Sequence, residues 1–309
     1  MHGELGIYVA LGPEGHPPVG MNTSASTSPA TDTLNCGYSE FNAADMKYRG
    51  NAKNRYAGGY GTGSLDRDAA DLHLLCQHLR RHHDVSGVVL LGHSTGCQDT
   101  VRYVQRYGPS AAAAIATAHL QDSDSDQAPE LLATILQAPR GPDKRRTPPM
   151  FSHMQHGRPN ATQVSDHEWL SQYPELEPLV RLSRELAAAG RGEEVVGRLL
   201  VADGAPISAS RLLSLYDLGG DDDMFSEELP SEAVQRILGP LGCRPCLLLV
   251  SGADECVPHQ DRIVTRAESL QTAIGSSACL HVVPGAPHNL AGFEEAAAAA
   301  LQPQSQLNP

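Results

Sequence analysis

Residues 87–107 read GVVLLGHSTGCQDTVRYVQRY, and the fold is decided here. The short apolar run at 88–91 has the character of a buried strand. Gly92-His93-Ser94-Thr95-Gly96 follows at once. A helical pattern then begins, with Val101, Val104 and Gln105 three or four positions apart, and stops at Gly108-Pro109. Strand, sharp turn and helix with a serine at the apex is the setting of a nucleophile elbow. Glycines on both sides let the backbone take a strained turn. A helix N-terminus behind the serine points free N–H groups at any oxyanion formed there.

The five-letter pattern is weak by itself. With Gly at 29 of 309 positions, G-x-S-x-G arises by chance about 0.2 times. Support has to come from the rest of the chain.

A length of 309 residues allows one large α/β domain or two smaller ones. A net charge of −13 argues against nucleic-acid or anionic-membrane partners. No apolar run approaches the length of a membrane span, and the N-terminus lacks the pattern of a secretory signal. Seven scattered cysteines fit a reducing compartment, so a cytoplasmic setting is expected.

Working outward from the elbow, 64–82 is expected to be a helix. Ser64 is its N-cap, Asp66 and Asp68 lie in the first turn, and Leu65, Ala69, Leu72, Leu75, Cys76 and Leu79 recur at helical spacing. On the far side, strands are expected at 131–136, 246–250 and 278–283, with helices at 260–274 and 292–301. Residues 6–11 (GIYVAL) form a further candidate strand, whereas the Ser/Thr-rich 23–33 reads as loop or disorder. Residues 111–130 read as an insertion.

Residues 140–240 read as a helical cap with helices near 166–172, 176–189, 193–202 and 209–216 and no strand. The expected division is a poorly ordered or divergent segment 1–57, a core of 58–139 and 241–302, and the cap 140–240. Strands alternating with helices imply a mostly parallel, doubly covered α/β sheet.

A serine nucleophile needs a base and an acid that orients the base. Open α/β sheets carry such groups just beyond the C-terminal ends of their strands. Asp254 follows the 246–250 strand in a turn. His288 follows the last strand in a loop, where Gly285 and Pro287 shape its approach. Glu255 and Asp261 are weaker rivals for the acid, Glu255 because a tight turn points it the other way. His281 lies inside a strand and is expected to pack. The three groups in the order Ser94, Asp254, His288 are far more telling than any one.

Other clusters read as structural. Cys243 and Cys246 have C-x-x-C spacing but precede a strand and lack a second pair. His78, His82 and His83 read as a solvated helix end, and Asp221-Asp222-Asp223 as a solvated loop or helix N-terminal acids. No metal or organic cofactor is expected.

Six stretches together resemble a known family: GYGTGSLDRDAADL (59–72), VVLLGHSTGCQD (88–99), ILQAP (135–139), LYDLGGDDDMFSEEL (215–229), LLVSGADECVP (248–258) and VPGAPHNLAG (283–292). They are similar to α/β-hydrolase-like proteins of fungi, plants and algae that include the fungal esterases of fusarinine-type siderophores. The resemblance implies an α/β-hydrolase fold and a serine esterase with the triad Ser94, Asp254 and His288. It implies a small-molecule ester as substrate.

Thr95 N–H is then the expected oxyanion donor, with Gly12 as a second. His93, Met224 and Phe225 are the expected substrate contacts. Such proteins carry a Gly-Gly-rich loop for the second donor, and here its place is taken by the turn at 12–15, where Pro13 has no N–H. The alternative reading is therefore a hydrolase-fold protein that binds a small molecule or partner without turning it over.

Overall fold

The computed structural model describes residues 6–11, 61–83, 85–109, 128–139, 176–199, 205–217, 219–255, 257 and 260–301. Strands β1 (Gly6–Leu11), β2 (Gly87–His93) and β3 (Glu130–Gln137) form one edge of the main sheet. A separate pair, β4 (Val195–Leu199) and β5 (Ala205–Ser208), comes next in the chain. β6 (Cys246–Ser251) and β7 (Ala278–Val283) complete the five-stranded sheet in the order β1-β2-β3-β6-β7. β2, β3, β6 and β7 run parallel. β1 is the antiparallel edge, with Gly6 opposite His93 and Leu11 opposite Val88. A mostly parallel sheet with one antiparallel edge is a common outcome for α/β chains.

The helices are α1 (Leu65–His83), α2 (Gly96–Tyr107), α3 (Leu176–Ala188), α4 (Ala209–Tyr216), α5 (Ser231–Leu238), α6 (Ile263–Ile274) and α7 (Glu294–Ala300). α1 starts where its sequence says it should. Ser64 Oγ accepts the N–H of Arg67 at 3.3 Å, acids fill the first turn and Arg80 and Arg81 the last.

Side chains alternate across a strand, so β6 serves two cores at once. Cys246, Leu248 and Val250 join the larger cluster, built from α1, α2, α5 and α6. Leu247 and Leu249 face the other way, with Phe293, Ala297 and Ala300 at α7. Helices therefore cover both faces, and the C-terminal ends of β2, β6 and β7 share one edge.

The 140–240 stretch departs from expectation. The expected helix at 166–172 lies outside the described residues, while α3 and α4 lie where helices were predicted. The helix expected at 193–202 is instead strand β4, paired antiparallel with β5. Val195 and Val196 are β-branched and Gly197 is a poor helix former, and the partner strand pairs with Val195 and with Gly197–Leu199 across a register shift at Val196. Ser208 ends the hairpin and caps α4, its Oγ accepting Arg211 N–H at 3.3 Å. Toward the end of this stretch Met224, Phe225, Leu229, Val234 and Leu238 belong to the larger core.

Nor are the three aspartates all solvated. Asp221 is exposed and pairs with Arg102 at 2.6 Å, but Asp222 and Asp223 are each 1% exposed. Asp222 Oδ2 accepts from Arg211 Nη1 and from Ser214 Oγ, both at 2.5 Å. Its main-chain carbonyl accepts Gln98 Nε2 at 3.3 Å. A lone buried carboxylate would be very costly, and Arg211, equally buried, is what makes this one tolerable. Arg211→Met is expected to cost about 3–5 kcal/mol of stability in urea unfolding, since it strands that charge. Adding Asp222→Asn should return part of the loss.

Asp99 on α2 is buried beside this pair, and its Oδ1 has no hydrogen-bond partner among the described residues. Burial pushes its carboxyl well above the ordinary value of 3.8, with Asp68 and Asp222 adding to the rise and Arg211 opposing it. Above that ordinary value the unfolded chain has lost a proton that the native state still holds. Stability is then lost as pH rises toward the folded value. Asp99→Asn keeps the shape without the proton. Its thermal stability relative to the unsubstituted protein is expected to improve as pH rises above the ordinary carboxylate value; a constant difference would contradict the raised carboxyl.

Candidate active site

β2 delivers Ser94 into a backbone conformation with φ of 56°, one that non-glycine residues seldom adopt. α2 begins two residues later. The turn is tight enough that a Cβ on Gly92 would stand 2.3 Å from the carbonyl oxygen of Gly96. Only glycine fits there, which explains the first glycine of the motif. Ser94 N–H donates to Gln137 O at 3.0 Å, and Cys97 N–H donates back to Ser94 O at 3.0 Å. The serine is fully buried, and its Oγ makes no hydrogen bond among the described residues.

Two neighbouring strands bring up the other groups. The turn after β6 carries Asp254 and the turn after β7 carries His288. Main-chain bonds stitch these turns together: Gly252 N–H to Val283 O and Ala253 N–H to Ala286 O, both 2.9 Å. His288 Nδ1 lies 2.7 Å from Asp254 Oδ2, and both side chains are buried. With Nδ1 protonated and bonded to the carboxylate, Nε2 is left with its lone pair free to accept a proton. His93, which directly precedes Ser94, places its ring centroid 5.0 Å from that of His288. The serine turn and the histidine turn therefore abut.

Thr95 is the N-cap residue of α2 and so stands at the positive end of that helix. Gly12, the other expected oxyanion donor, lies outside the described residues. Met224 and Phe225, the expected substrate contacts, are buried in this structure. Each is 3% exposed and packed in the larger core, because the buried Asp222-Asp223 turn carries them inward.

Glu255, the weaker rival for the acid, does not point away from the histidine as expected. It does not bond the imidazole, but its Oε2 accepts the main-chain N–H of His288 at 2.8 Å. Two polar residues were not picked out from sequence at all. Gln137, at the end of β3, donates from Nε2 to His288 O at 3.0 Å and to Ser251 Oγ at 3.3 Å. Ser251, at the end of β6, also lies within 3.5 Å of His288 O. The available signal was an amide and a hydroxyl closing apolar strands at the edge where a site was expected.

Cys243 and Cys246 are free thiols flanking the entry to β6. His78, His82 and His83 lie on the exposed end of α1, with His78 and His82 rings 4.5 Å apart. Among the described residues, no helix is long and apolar enough to cross a membrane.

The family described as "Protein of unknown function (DUF1749)" matches residues 51–304 of the chain. The UPF0613 protein PB24D3.06c of Schizosaccharomyces pombe is 28% identical over 254 residues, covering 75% of this chain and 67% of that one. The Fusarinine C esterase sidJ of Aspergillus fumigatus is 26% identical over 268 residues, covering 77% and 72%. Esterase AN6793 of Emericella nidulans is 23% identical over 273 residues, covering 76% and 70%.

Proposed function

The chain belongs to the DUF1749 family, and from that premise we propose that it is a serine hydrolase that cleaves carboxylic esters of small molecules. The observation that carries this is the buried His288–Asp254 pair, at 2.7 Å, set beside a serine held at φ 56°. Two relatives whose names call them esterases support the ester as the bond cleaved.

In the proposed reaction Ser94 Oγ attacks the acyl carbon while His288 Nε2 takes its proton. Asp254 holds the Nδ1–H and offsets the charge that develops on the ring. The oxyanion is met by the N–H of Thr95 at the start of α2, where the helix dipole favours negative charge. The ester C–O bond breaks, the alcohol leaves with the proton from His288, and the acyl group stays on Ser94. Water, deprotonated by the same histidine, then attacks the acyl-enzyme and releases the acid. No step calls on a metal or an organic cofactor.

The test is incubation with a fluorophosphonate, followed by peptide mapping, together with turnover of p-nitrophenyl acetate. The expected result is one phosphonyl adduct on Ser94 and measurable hydrolysis. Folded protein that neither labels nor turns over ester would overturn the proposal. That outcome would favour the second reading, binding without turnover, to which Ser94 Oγ, without a hydrogen-bond partner among the described residues, lends support. In an unliganded hydrolase that contact commonly tightens only when substrate arrives.

A further inference from the structure

Gln137 ends β3, the strand between the one that carries Ser94 and the one that leads to Asp254. Its side chain is buried, and burying an amide is unfavourable unless it is hydrogen-bonded. An aliphatic residue would continue the apolar run Ile135-Leu136 at no such cost. The amide instead reaches out of the strand to the main chain of another loop. Its Nε2 donates to His288 O at 3.0 Å, a contact between residues 151 positions apart. The main-chain carbonyl of the same residue accepts Ser94 N–H at 3.0 Å and the Cys97 thiol at 3.3 Å. One residue thus touches both the turn that bears the serine and the loop that bears the histidine.

The opposite side of His288 is held as well. Its main-chain N–H donates to Glu255 Oε2 at 2.8 Å. Side chains from two different strand ends therefore grip the N–H and the C=O of one residue. Nothing in this grip touches the imidazole, whose Nδ1 belongs to Asp254. What the grip fixes is where the ring begins.

We propose that Gln137 is a positioning residue, acting with Glu255 to clamp the His288 main chain and set the reach of its imidazole to Ser94 Oγ; the proposal rests on reading Ser94 and His288 as nucleophile and base. Reacting groups must be held to within about 0.5 Å and 10–20° of productive geometry. Asp254 fixes the tautomer and tilt of the ring, while the clamp fixes its origin. Without Nε2, the His288 carbonyl keeps, among the described residues, the longer contact to Ser251 Oγ, at 3.5 Å.

The test uses the full chain with Gln137→Met, which keeps length and volume but removes the donor. Fluorophosphonate labelling of Ser94 is followed per folded molecule, alongside kcat and KM on p-nitrophenyl acetate. Labelling rate and kcat are expected to fall about 10–100-fold with KM unchanged. In a His288→Ala background, where only slow residual labelling remains over hours, the same substitution is expected to change nothing.

A residue that only supports the fold would lower the folded fraction and leave the per-molecule rate alone. Equal labelling of Gln137→Met and the unsubstituted protein overturns the proposal, as does an equal loss in the His288→Ala background. Should Gln137→Met not fold, Glu255→Ala tests the exposed jaw of the clamp by the same measurements. It is expected to lose about tenfold in labelling rate, and an unchanged rate again overturns the proposal. If the unsubstituted, folded protein does not label at all, it is the hydrolase reading that fails, and the two failures are told apart by that control.

Discussion

Ser94→Ala is expected to lower p-nitrophenyl ester turnover by about 10⁶-fold while making the protein more stable. The first half follows from removing the only atom proposed to bond the acyl carbon. The second half follows from where that atom sits. Ser94 Oγ is fully buried and has no hydrogen-bond partner among the described residues, and such a group costs about 1–3 kcal/mol of desolvation. Alanine removes the hydroxyl and keeps the same φ of 56°, so strain at the elbow is unchanged to first order. Urea unfolding of both proteins reads the stability change, and a stopped assay reads the turnover. Activity within tenfold of the unsubstituted protein would remove Ser94 from the role. A lower unfolding midpoint would mean that the hydroxyl is held by something after all.

Asp254→Asn is expected to reduce kcat about 10⁴-fold with little change in melting temperature. The carboxylate accepts from His288 Nδ1 at 2.7 Å. An asparagine can turn its NH₂ toward Nδ1 and force the proton onto Nε2, the nitrogen that must be empty to accept from Ser94. Its shape is retained, so the fold should tolerate it. Glu255→Gln is the informative comparison, because Glu255 touches only the main chain of His288 and its amide oxygen can still accept that N–H. A loss below tenfold for Asp254→Asn, with a larger one for Glu255→Gln, would move the acid role to the neighbouring carboxylate.

The strained serine turn and the loops that pair Asp254 with His288 were legible because their signals are local. Gly92 marks a turn that tolerates no side chain, and Asp254 and His288 each lie in the turn that follows a short strand. Strand β7 (Ala278–Val283) and helix α4 (Ala209–Tyr216) carry the bounds expected from sequence. What was missed depends on partners distant in the chain or in the fold. Three consecutive aspartates look like solvent-facing charge until Arg211 arrives from a helix eleven positions earlier. Val195–Leu199 looks like half a helix until β5 lies beside it. Gln137 was visible only as one polar letter in ILQAP.

The strand order has a consequence for how the chain acquires the activity proposed for it. β2 and β3 are near neighbours in sequence, with an intervening helix, so the serine turn and the strand that backs it can form together. The histidine loop reaches Gln137 only by closing a span of 151 positions, and contacts of such separation form late because loop closure must come first. During refolding, helical signal should return before reactivity toward a phosphonate does, leaving an interval in which a nearly formed sheet holds an inert serine. Recovered labelling would then report the final strand joining the sheet, which makes this site a built-in clock for the completion of folding.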